Sequence, residues 1–287
     1  MADKKLPIEN VSDTALWVAF YRAMESERPD ALFRDPFARA LAGAKGEAIV
    51  NAMPHGRSLA WPMIVRTRVM DEIIAAAIER EGARTVLNLA AGLDVRPFRM
   101  DLPPALRWID ADLPGILDYK RAVLGDAKAK CAYEAVAVDL READRRRELL
   151  ARAAAAGPVV VLSEGLLIYL EPEQVRELAL DLHRETANRA WLTDLASPLM
   201  IERVAKRWNQ KLTQARAPFR FAPAEGTGFF LPLGWREADF RSIWTESLRL
   251  KRTVSMAWLW KFLGMFMPAA RRQAYQRMSG VVLLERA

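Results

Sequence analysis

Apolar residues recur at helical spacing through the first part of the chain. In the segment 12–24, one helical face carries three apolar side chains, Leu16, Phe20 and Ala23. A second, shorter helix is predicted to begin at Pro36, where the missing N–H does no harm, and to end near Gly43. Residues 63–81 predict a long third helix. This pattern predicts a helical cap over residues 1–82.

Short apolar runs replace the helical pattern from Arg84 onward. The run 84–89 ends in a turn at Ala91 and Gly92, and four further runs begin near positions 106, 131, 158 and 190, with helix-like segments between them. Strands that alternate with helices in this way are typical of a parallel sheet that is covered on both faces. Residues 83–197 are therefore predicted to form the core of the fold.

The last third of the chain, residues 198–287, is less regular. It predicts, in order, a helix over 198–213, a loop over 218–234, a helix over 235–248, a strand over 249–255, an aromatic and methionine-rich helical stretch over 256–279 and a closing strand over 280–286. Because no segment has the composition of a linker, we interpret the 287 residues as one α/β domain. Its sheet is predicted to be Rossmann-like and mostly parallel, with an antiparallel strand near the C-terminus.

The composition is that of an ordinary globular protein, with 52% hydrophobic and 28% charged residues. No stretch reaches the roughly twenty apolar residues of a membrane span, the N-terminal segment lacks the features of a signal peptide, and Cys131 is the only cysteine. These features favour a cytoplasmic protein without a membrane span or an intramolecular disulfide.

The net charge of +7 is the one feature that favours a nucleic-acid partner. However, the 43 basic residues are mixed with 36 acidic ones, and the densest basic cluster, Arg145–Arg147, is typical of a solvated helix face. We therefore expect no nucleic-acid partner.

The candidate chemistry lies at the predicted strand ends, because ligands bind beyond the carboxyl ends of the strands in a parallel sheet. Four successive strands end in polar or small residues: Asn88 to Asp94, Asp110-Ala111-Asp112, Asp139-Leu140 and Ser163-Glu164-Gly165. A carboxylate after the second strand, Asp110 or Asp112, suits the two hydroxyls of a ribose, and Asp139 with Leu140 suits an adenine. The first turn has one glycine where a dinucleotide fingerprint has three, so the pattern favours an adenosine ligand other than a nicotinamide dinucleotide.

Several of these segments resemble those of a known family. The stretches NLAAGLDVRPFRMDLP, WIDADLPGILDYKRAVL, AVDL and SEGLLIYLEPEQV occur in this order between residues 88 and 175. Together with Arg66 and Arg68 on the predicted third helix and the opening segment 12–41, they resemble the leucine carboxyl methyltransferase family, including its bacterial S-adenosylmethionine-dependent branch. The resemblance implies a class I methyltransferase sheet and S-adenosyl-L-methionine as the cofactor.

The resemblance also assigns roles to seven residues. Arg66, with Arg68 as the competing choice, would pair with the methionyl carboxylate of the cofactor. The remaining assignments are Ala90 and Gly92 under the methionine and ribose, Asp112 at the ribose hydroxyls, Asp139 and Leu140 at the adenine, and Glu164 at the amino group. The family usually has glycine where Ala90 stands, so we expect the methyl group there to require a negative φ.

The sequence is less informative about the methyl acceptor. Four residues are candidate acceptor contacts: Trp17, His55, Tyr169 and Trp258. Trp258 belongs to the aromatic stretch 256–279, which is suited to form an apolar wall with Trp17 and Phe20. A carboxylate acceptor would need no general base and a phenol would benefit from one, and the reaction requires no metal. No catalytic residue is assigned.

These features favour an O-methyltransferase that acts on a small hydrophobic carboxylic acid, hydroxyl compound or phenol. Two alternatives stay open, namely methylation of a protein's C-terminal carboxyl group and a cofactor-binding protein without catalysis. The first predicts an open groove in which peptides compete with small acceptors, and the second predicts cofactor binding without methyl transfer. The oligomeric state is not predicted.

Overall fold

The computed structural model describes residues 13–185, 187–203, 219–254, 256, 259 and 266–287. Its helices are α1 (Asp13–Ser26), α2 (Ala38–Ala52), α3 (Trp61–Glu81), α4 (Arg96–Arg99), α5 (Pro114–Leu124), α6 (Ala143–Ala154), α7 (Pro172–Arg184), α8 (Ile243–Arg249) and α9 (Ala269–Gln276). Its strands are β1 (Thr85–Leu89), β2 (Arg107–Asp112), β3 (Ala132–Ala137), β4 (Val159–Ser163), β5 (Asn188–Ala196), β6 (Trp235–Ser242) and β7 (Ser279–Arg286). Short 3₁₀ turns lie at Gly56–Leu59, Leu167–Tyr169 and Gly226–Leu233.

These strands form one sheet in the order β3-β2-β1-β4-β5-β7-β6. Strands β1 to β5 are parallel, whereas β7 runs antiparallel to both of its neighbours, β5 and β6. Every residue of β1 and β4 is buried, as expected for parallel strands with helices on both faces. The predicted fold class, including the antiparallel strand near the C-terminus, is confirmed.

Three clusters of buried apolar side chains hold the layers together. One face of the sheet packs against α6, α7 and the turn Gly226–Leu233, with Trp191 and Trp235 fully buried between them. The other face packs against α3 and α8. A third cluster joins α1 and α2 to α4 and α5. The first helices are thus attached to the carboxyl edge of the sheet, where they cover the strand ends.

Two predictions for the last third of the chain are wrong. Residues 235–242 form strand β6, where the sequence predicts a helix, and the helix α8 begins only at Ile243. The reason is a register shift between Glu237 and Asp239 in the pairing with β7, which hides the alternation that would identify a strand. Residues 250–254 are irregular where a strand is predicted. There Arg252 turns inward, and its Nη2 lies 2.9 Å from Oε1 of Glu25.

Other segments differ from the prediction in part. The helix predicted to end near Gly43 kinks there, at φ +56° and ψ −171°, and continues to Ala52, because glycine alone adopts this backbone conformation readily. The predicted loop 218–234 contains a 3₁₀ turn with Phe230 buried. Within the predicted solvated cluster, Arg146 is buried and donates to Asp181 at 2.8 Å. Residues 204–213 of the predicted helix and most of the aromatic stretch, including Trp258, lie outside the described residues.

Candidate functional site

A cavity of about 1380 Å³ lies beyond the carboxyl ends of β1, β2, β4 and β5. All the residues predicted to bind the cofactor line this cavity: Arg66, Ala90, Gly92, Asp112, Asp139, Leu140 and Glu164. Two of the predicted acceptor contacts, Trp17 and Tyr169, line it as well. The strand ends therefore converge on one site, in the crevice where ligands bind to open α/β sheets.

The turn after β1 has an unusual backbone conformation. Both Ala90 and Gly92 have a φ of +52°. The expectation that Ala90 has a negative φ is therefore wrong, and its methyl group is held in the left-handed region at a cost of about 1–2 kcal/mol. Hydrogen bonds from the turn to β2 hold it in place, because the Ala91 N–H donates to the Ala111 carbonyl at 3.3 Å and the Gly92 N–H donates to Asp112 Oδ2 at 2.6 Å.

The two aspartates of β2 have different surroundings. Asp110 is fully buried, and Asn88, Trp108, Lys120 and Tyr133 all donate to it. Its side chain therefore belongs to the interior of the protein.

Asp112 lines the cavity, and its carboxylate accepts from the backbone N–H groups of Gly92 and Leu113. Burial raises the pKa of Asp112, although these two N–H groups oppose the shift. Each oxygen keeps a lone pair for a further donor, so Asp112 is the better candidate for a ribose diol.

Asp139 and Leu140 follow β3 at the edge of the cavity. The exposed Arg141 donates through Nε to Asp139 Oδ1 at 2.9 Å, and this bond lowers the pKa of Asp139. The Leu140 carbonyl accepts from Arg146 Nη1 at 2.7 Å. Asp139 is therefore ionised at neutral pH and can accept a hydrogen bond from an exocyclic amine.

Arg66 bridges the ends of two strands. From α3 it donates through Nε to Glu164 Oε1 and through Nη1 to Asp194 Oδ2, both at 3.0 Å. The competing candidate, Arg68, is more exposed, pairs with Glu72 on its own helix and does not line the cavity. Of the two arginines, only Arg66 is therefore placed to meet a ligand here.

A second arginine contacts the other carboxylate oxygen of Glu164. Arg96 is 2% exposed, and its Nη1 lies 2.8 Å from Glu164 Oε2 and 2.6 Å from Asp94 Oδ2. Its Nε donates to Asp71 Oδ1 at 2.7 Å, and Arg99 donates to the same oxygen at 2.7 Å. Burial opposes ionisation of Glu164, but Arg96 and Arg66 outweigh it and lower the pKa of this carboxyl group.

The structure brings only some of the predicted acceptor contacts to the cavity. Tyr169 lies in the 3₁₀ turn after β4, hydrogen-bonded to Thr14 of α1, and burial raises the pKa of its hydroxyl group. Trp17 faces the cavity from the same helix. His55 is exposed, has a φ of +57° and does not line the cavity. Trp258 lies outside the described residues.

Two residues that line the cavity had no place in the prediction of the site. Asp194 lies near the end of β5, and extending the strand-end argument from four strands to five would have found it. Arg96 belongs to the helix α4, a single turn whose helical pattern is too short to be recognised. The one sequence feature that could have identified Arg96 as a site residue was its position within the family motif NLAAGLDVRPFR.

The described part of the chain contains no group of three or more His, Cys, Asp or Glu side chains arranged to hold a metal ion. None of its helices is both long and apolar enough to cross a membrane.

Comparison with known proteins gives relatives for most of the chain. The family model of leucine carboxyl methyltransferases matches residues 15–182. A protein from Streptomyces coelicolor that carries the name of an S-adenosyl-L-methionine-dependent methyltransferase is 40% identical over 207 residues, which cover 67% of this chain and 71% of that protein. A similarly named protein from Streptomyces avermitilis is 34% identical over 263 residues, which cover 84% and 88% of the two chains.

Solved structures share the fold over nearly the full length. A methyltransferase-named protein from Thermobifida fusca superposes with a TM-score of 0.59 at 13% identity, covering 98% of this chain and 96% of that one. A DUF574 family protein from Streptomyces avermitilis superposes with a TM-score of 0.57 at 12% identity, covering 94% and 97%. At these identities the likeness concerns the fold, and the family follows from the sequence matches. The resemblance predicted from the motifs is confirmed, and the chain belongs to the leucine carboxyl methyltransferase family of S-adenosyl-L-methionine-dependent methyltransferases.

Proposed function

We propose that the protein transfers a methyl group from S-adenosyl-L-methionine to an oxygen of a small, mostly apolar acceptor that carries a carboxyl or hydroxyl group. The observation that carries this proposal is that one wall of the cavity is charged and another is apolar. Its floor consists of the charged strand ends, whereas apolar side chains from α1 and from the segments after β4 and β5 form another wall, among them Trp17, Ile168, Met200, Ile201, Phe219 and Phe221. The volume of about 1380 Å³ exceeds the roughly 300–1,000 Å³ of a pocket for one drug-sized ligand, which leaves room for two molecules.

The charges on the floor suit this cofactor. Three carboxylates and two guanidinium groups that line the cavity form one connected array with a surplus of one negative charge: Asp94, Glu164, Asp194, Arg66 and Arg96. S-adenosyl-L-methionine has the opposite surplus, because its sulfonium and ammonium groups outnumber its carboxylate. We therefore assign the methionyl carboxylate to Arg66, the amino group to Glu164 with Asp194, the ribose to Asp112, and the adenine to Asp139 and Leu140.

The chain's own residues would act on the reaction by holding the acceptor and excluding water. When bound, the cofactor supplies an activated methyl group, and transfer needs an acceptor oxygen in line with it at about 3–3.5 Å. Trp17 and the aromatic side chains near Phe219 would fix an apolar acceptor in one orientation. The Tyr169 hydroxyl group, which stays protonated at neutral pH, can donate a hydrogen bond to an acceptor oxygen. A carboxylate acceptor then needs no proton transfer.

The first experiment is calorimetric titration of S-adenosyl-L-methionine and S-adenosylhomocysteine into the protein and its Asp112→Ala variant. We expect micromolar binding that Asp112→Ala weakens by about 10–100-fold or more, because each charge-assisted hydrogen bond to the ribose is worth about 1.5–3 kcal/mol. The matched control is Asp118→Ala, since Asp118 is an exposed aspartate on α5 whose ion-pair partner among the described residues is Arg121. Equal binding by Asp112→Ala and the native protein would contradict the ribose assignment.

The acceptor class is tested by measuring the formation of S-adenosylhomocysteine with hydrophobic carboxylic acids, phenols and peptides with a free C-terminus. We expect turnover with apolar small molecules and none with peptides. Turnover that requires a peptide would support methylation of protein termini instead. Cofactor binding without turnover of any acceptor would favour a binding protein without catalysis.

A further inference from the structure

Glu164 is held from two sides, but its two arginine partners are not equivalent. Arg66 approaches Oε1 from α3 at 3.0 Å and also donates to Asp194. Arg96 approaches Oε2 from α4 at 2.8 Å. Under the proposed function, Arg66 must also meet the carboxylate of the cofactor, so it cannot give all its donors to Glu164. Arg96 is the partner that can hold Glu164 throughout.

Arg96 is itself fixed in place by other residues. It is 2% exposed, and its Nε and Nη1 contact Asp71 and Asp94 at 2.7 and 2.6 Å. The guanidinium group therefore cannot turn away from Glu164 without breaking both of these ion pairs in the interior. Its Nη2 is buried and has no hydrogen-bond partner among the described residues. The site thus holds Arg96 in place although one of its nitrogens makes no hydrogen bond there.

We infer that Arg96 is a positioning residue for the cofactor: it holds Glu164 ionised and oriented, so that the carboxylate accepts a hydrogen bond from the amino group of S-adenosyl-L-methionine. This inference rests on the proposed function. Arg96 does not touch the cofactor in this role, and its effect passes through Glu164.

The charges around Glu164 give the inference a pH signature. Arg66 faces Glu164 from α3, Arg96 from α4 and Asp94 from the turn after β1, with Asp194 behind Arg66 and Asp71 behind Arg96. Without Arg96, the buried Glu164 would face Asp94 with only the shared Arg66 to compensate, so its pKa would rise. A protonated Glu164 no longer attracts an ammonium group, and affinity would therefore fall as the pH falls.

The test is calorimetric titration of S-adenosylhomocysteine at about pH 7 and about pH 5.5, a range in which the amino group of the ligand stays protonated. For the native protein we expect the Kd to change less than about twofold, because Glu164 stays ionised. For Arg96→Gln we expect binding to be about tenfold weaker than native at the higher pH. At the lower pH we expect a further loss of at least about fivefold, because the raised pKa leaves Glu164 largely protonated and each pKa unit changes its ionisation equilibrium tenfold. Arg99→Gln is the matched control, because Arg99 pairs with the same oxygen of Asp71 and makes no contact with Glu164.

Two further variants separate a role through Glu164 from a general loss of structure. Arg96→Lys keeps the positive charge and should restore the pH-independent profile at reduced affinity. Glu164→Gln should abolish the pH dependence of Arg96→Gln. If Arg96→Gln does not fold, Arg96→Lys is compared with Arg99→Lys, and we expect only Arg96→Lys to weaken binding, by at least about threefold.

A flat pH profile for Arg96→Gln, or the same loss in the Arg99 variants, would overturn the inference. Failure of the native protein to bind S-adenosylhomocysteine is a different result, because it would contradict the proposed function itself.

Discussion

Ala90 has a backbone conformation that glycine would adopt at lower cost. Its φ of +52° places the methyl group against its own backbone, which costs about 1–2 kcal/mol. We expect Ala90→Gly to raise the free energy of unfolding by about 0.5–1 kcal/mol, because the relieved strain exceeds the extra backbone entropy of the unfolded chain. Urea unfolding followed by circular dichroism measures this difference.

The neighbouring Ala91 provides the control for Ala90→Gly. Ala91 is 6% exposed, and its φ is not positive. Ala91→Gly should therefore lower the free energy of unfolding by about 1 kcal/mol. If Ala90→Gly also lowers it, the strain assigned to Ala90 is not present.

Single residues of the site were predictable where two independent patterns agreed. Asp112 and Glu164 stand at strand ends and also within family motifs, and both line the cavity. The strand-end pattern alone left Asp110 and Asp112 open and the resemblance favoured Asp112, and the packing of Trp108, Lys120 and Tyr133 shows that Asp110 is the buried carboxylate. His55 is close in sequence to α3, but the turn that contains it leaves its side chain exposed.

The helices α1 and α2 are in close contact at Gly46. A Cβ atom at Gly46 would lie 2.6 Å from the carbonyl oxygen of Leu16, a backbone atom that cannot turn aside. We expect Gly46→Ala to lower the free energy of unfolding by about 1–3 kcal/mol, although alanine is the better helix former. Thermal or urea unfolding gives the sign directly.

Gly115 in α5 is the matched control, since a Cβ atom there would meet nothing within 4 Å. Gly115→Ala should raise the free energy of unfolding by up to about 1 kcal/mol through helix propensity alone. Equal stabilisation by both substitutions would show that α1 and α2 are free to separate by a few tenths of an ångström.

Secondary-structure elements were predictable where one periodicity continued without interruption. Helix α3 and strands β1 and β4 are examples, because each buries one consistent pattern of apolar side chains. Strand β6 was predicted as a helix for the opposite reason. Its alternation is interrupted by the irregularity between Glu237 and Asp239, and only pairing with β7, more than thirty residues later, determines its conformation.

At the scale of the whole molecule, the buried charge array joins α3, α4, β4 and β5, and it should make the fold sensitive to acid. Burial opposes ionisation of Asp94, but Arg96 and Lys120 lower its pKa from 3.8 to about 2. A lowered pKa contributes stability above pH 4 that is lost as the pH falls from 4 towards 2, and here it amounts to about 2 kcal/mol.

We therefore expect the free energy of unfolding of Asp94→Asn to fall by about 2 kcal/mol less than that of the native protein between about pH 4 and about pH 2. At neutral pH, Asp94→Asn should be the less stable of the two. Unfolding by urea at several pH values measures both effects. Asp118→Asn, on the exposed face of α5, should follow the native profile. Parallel acid profiles for Asp94→Asn and the native protein would contradict the lowered pKa.

The arrangement of the whole sheet was predictable only in its general form. Regular alternation of strands and helices indicates parallel neighbours covered on both faces, and β1 to β5 follow it. The order in which strands lie side by side depends on long-range pairing, for which local patterns contain no signal. The insertion of β7 between β5 and β6 is the clearest example.

This insertion of β7 has a consequence for synthesis of the protein on the ribosome. Strand β7 is the last of the described strands to be made, yet it pairs with β5 on one side and with β6 on the other. Until β7 has emerged, β6 has no strand to pair with, and the unpaired edge of β5 can recruit other chains. We therefore expect the nascent protein to pass through an aggregation-prone stage that ends when β7 closes the gap.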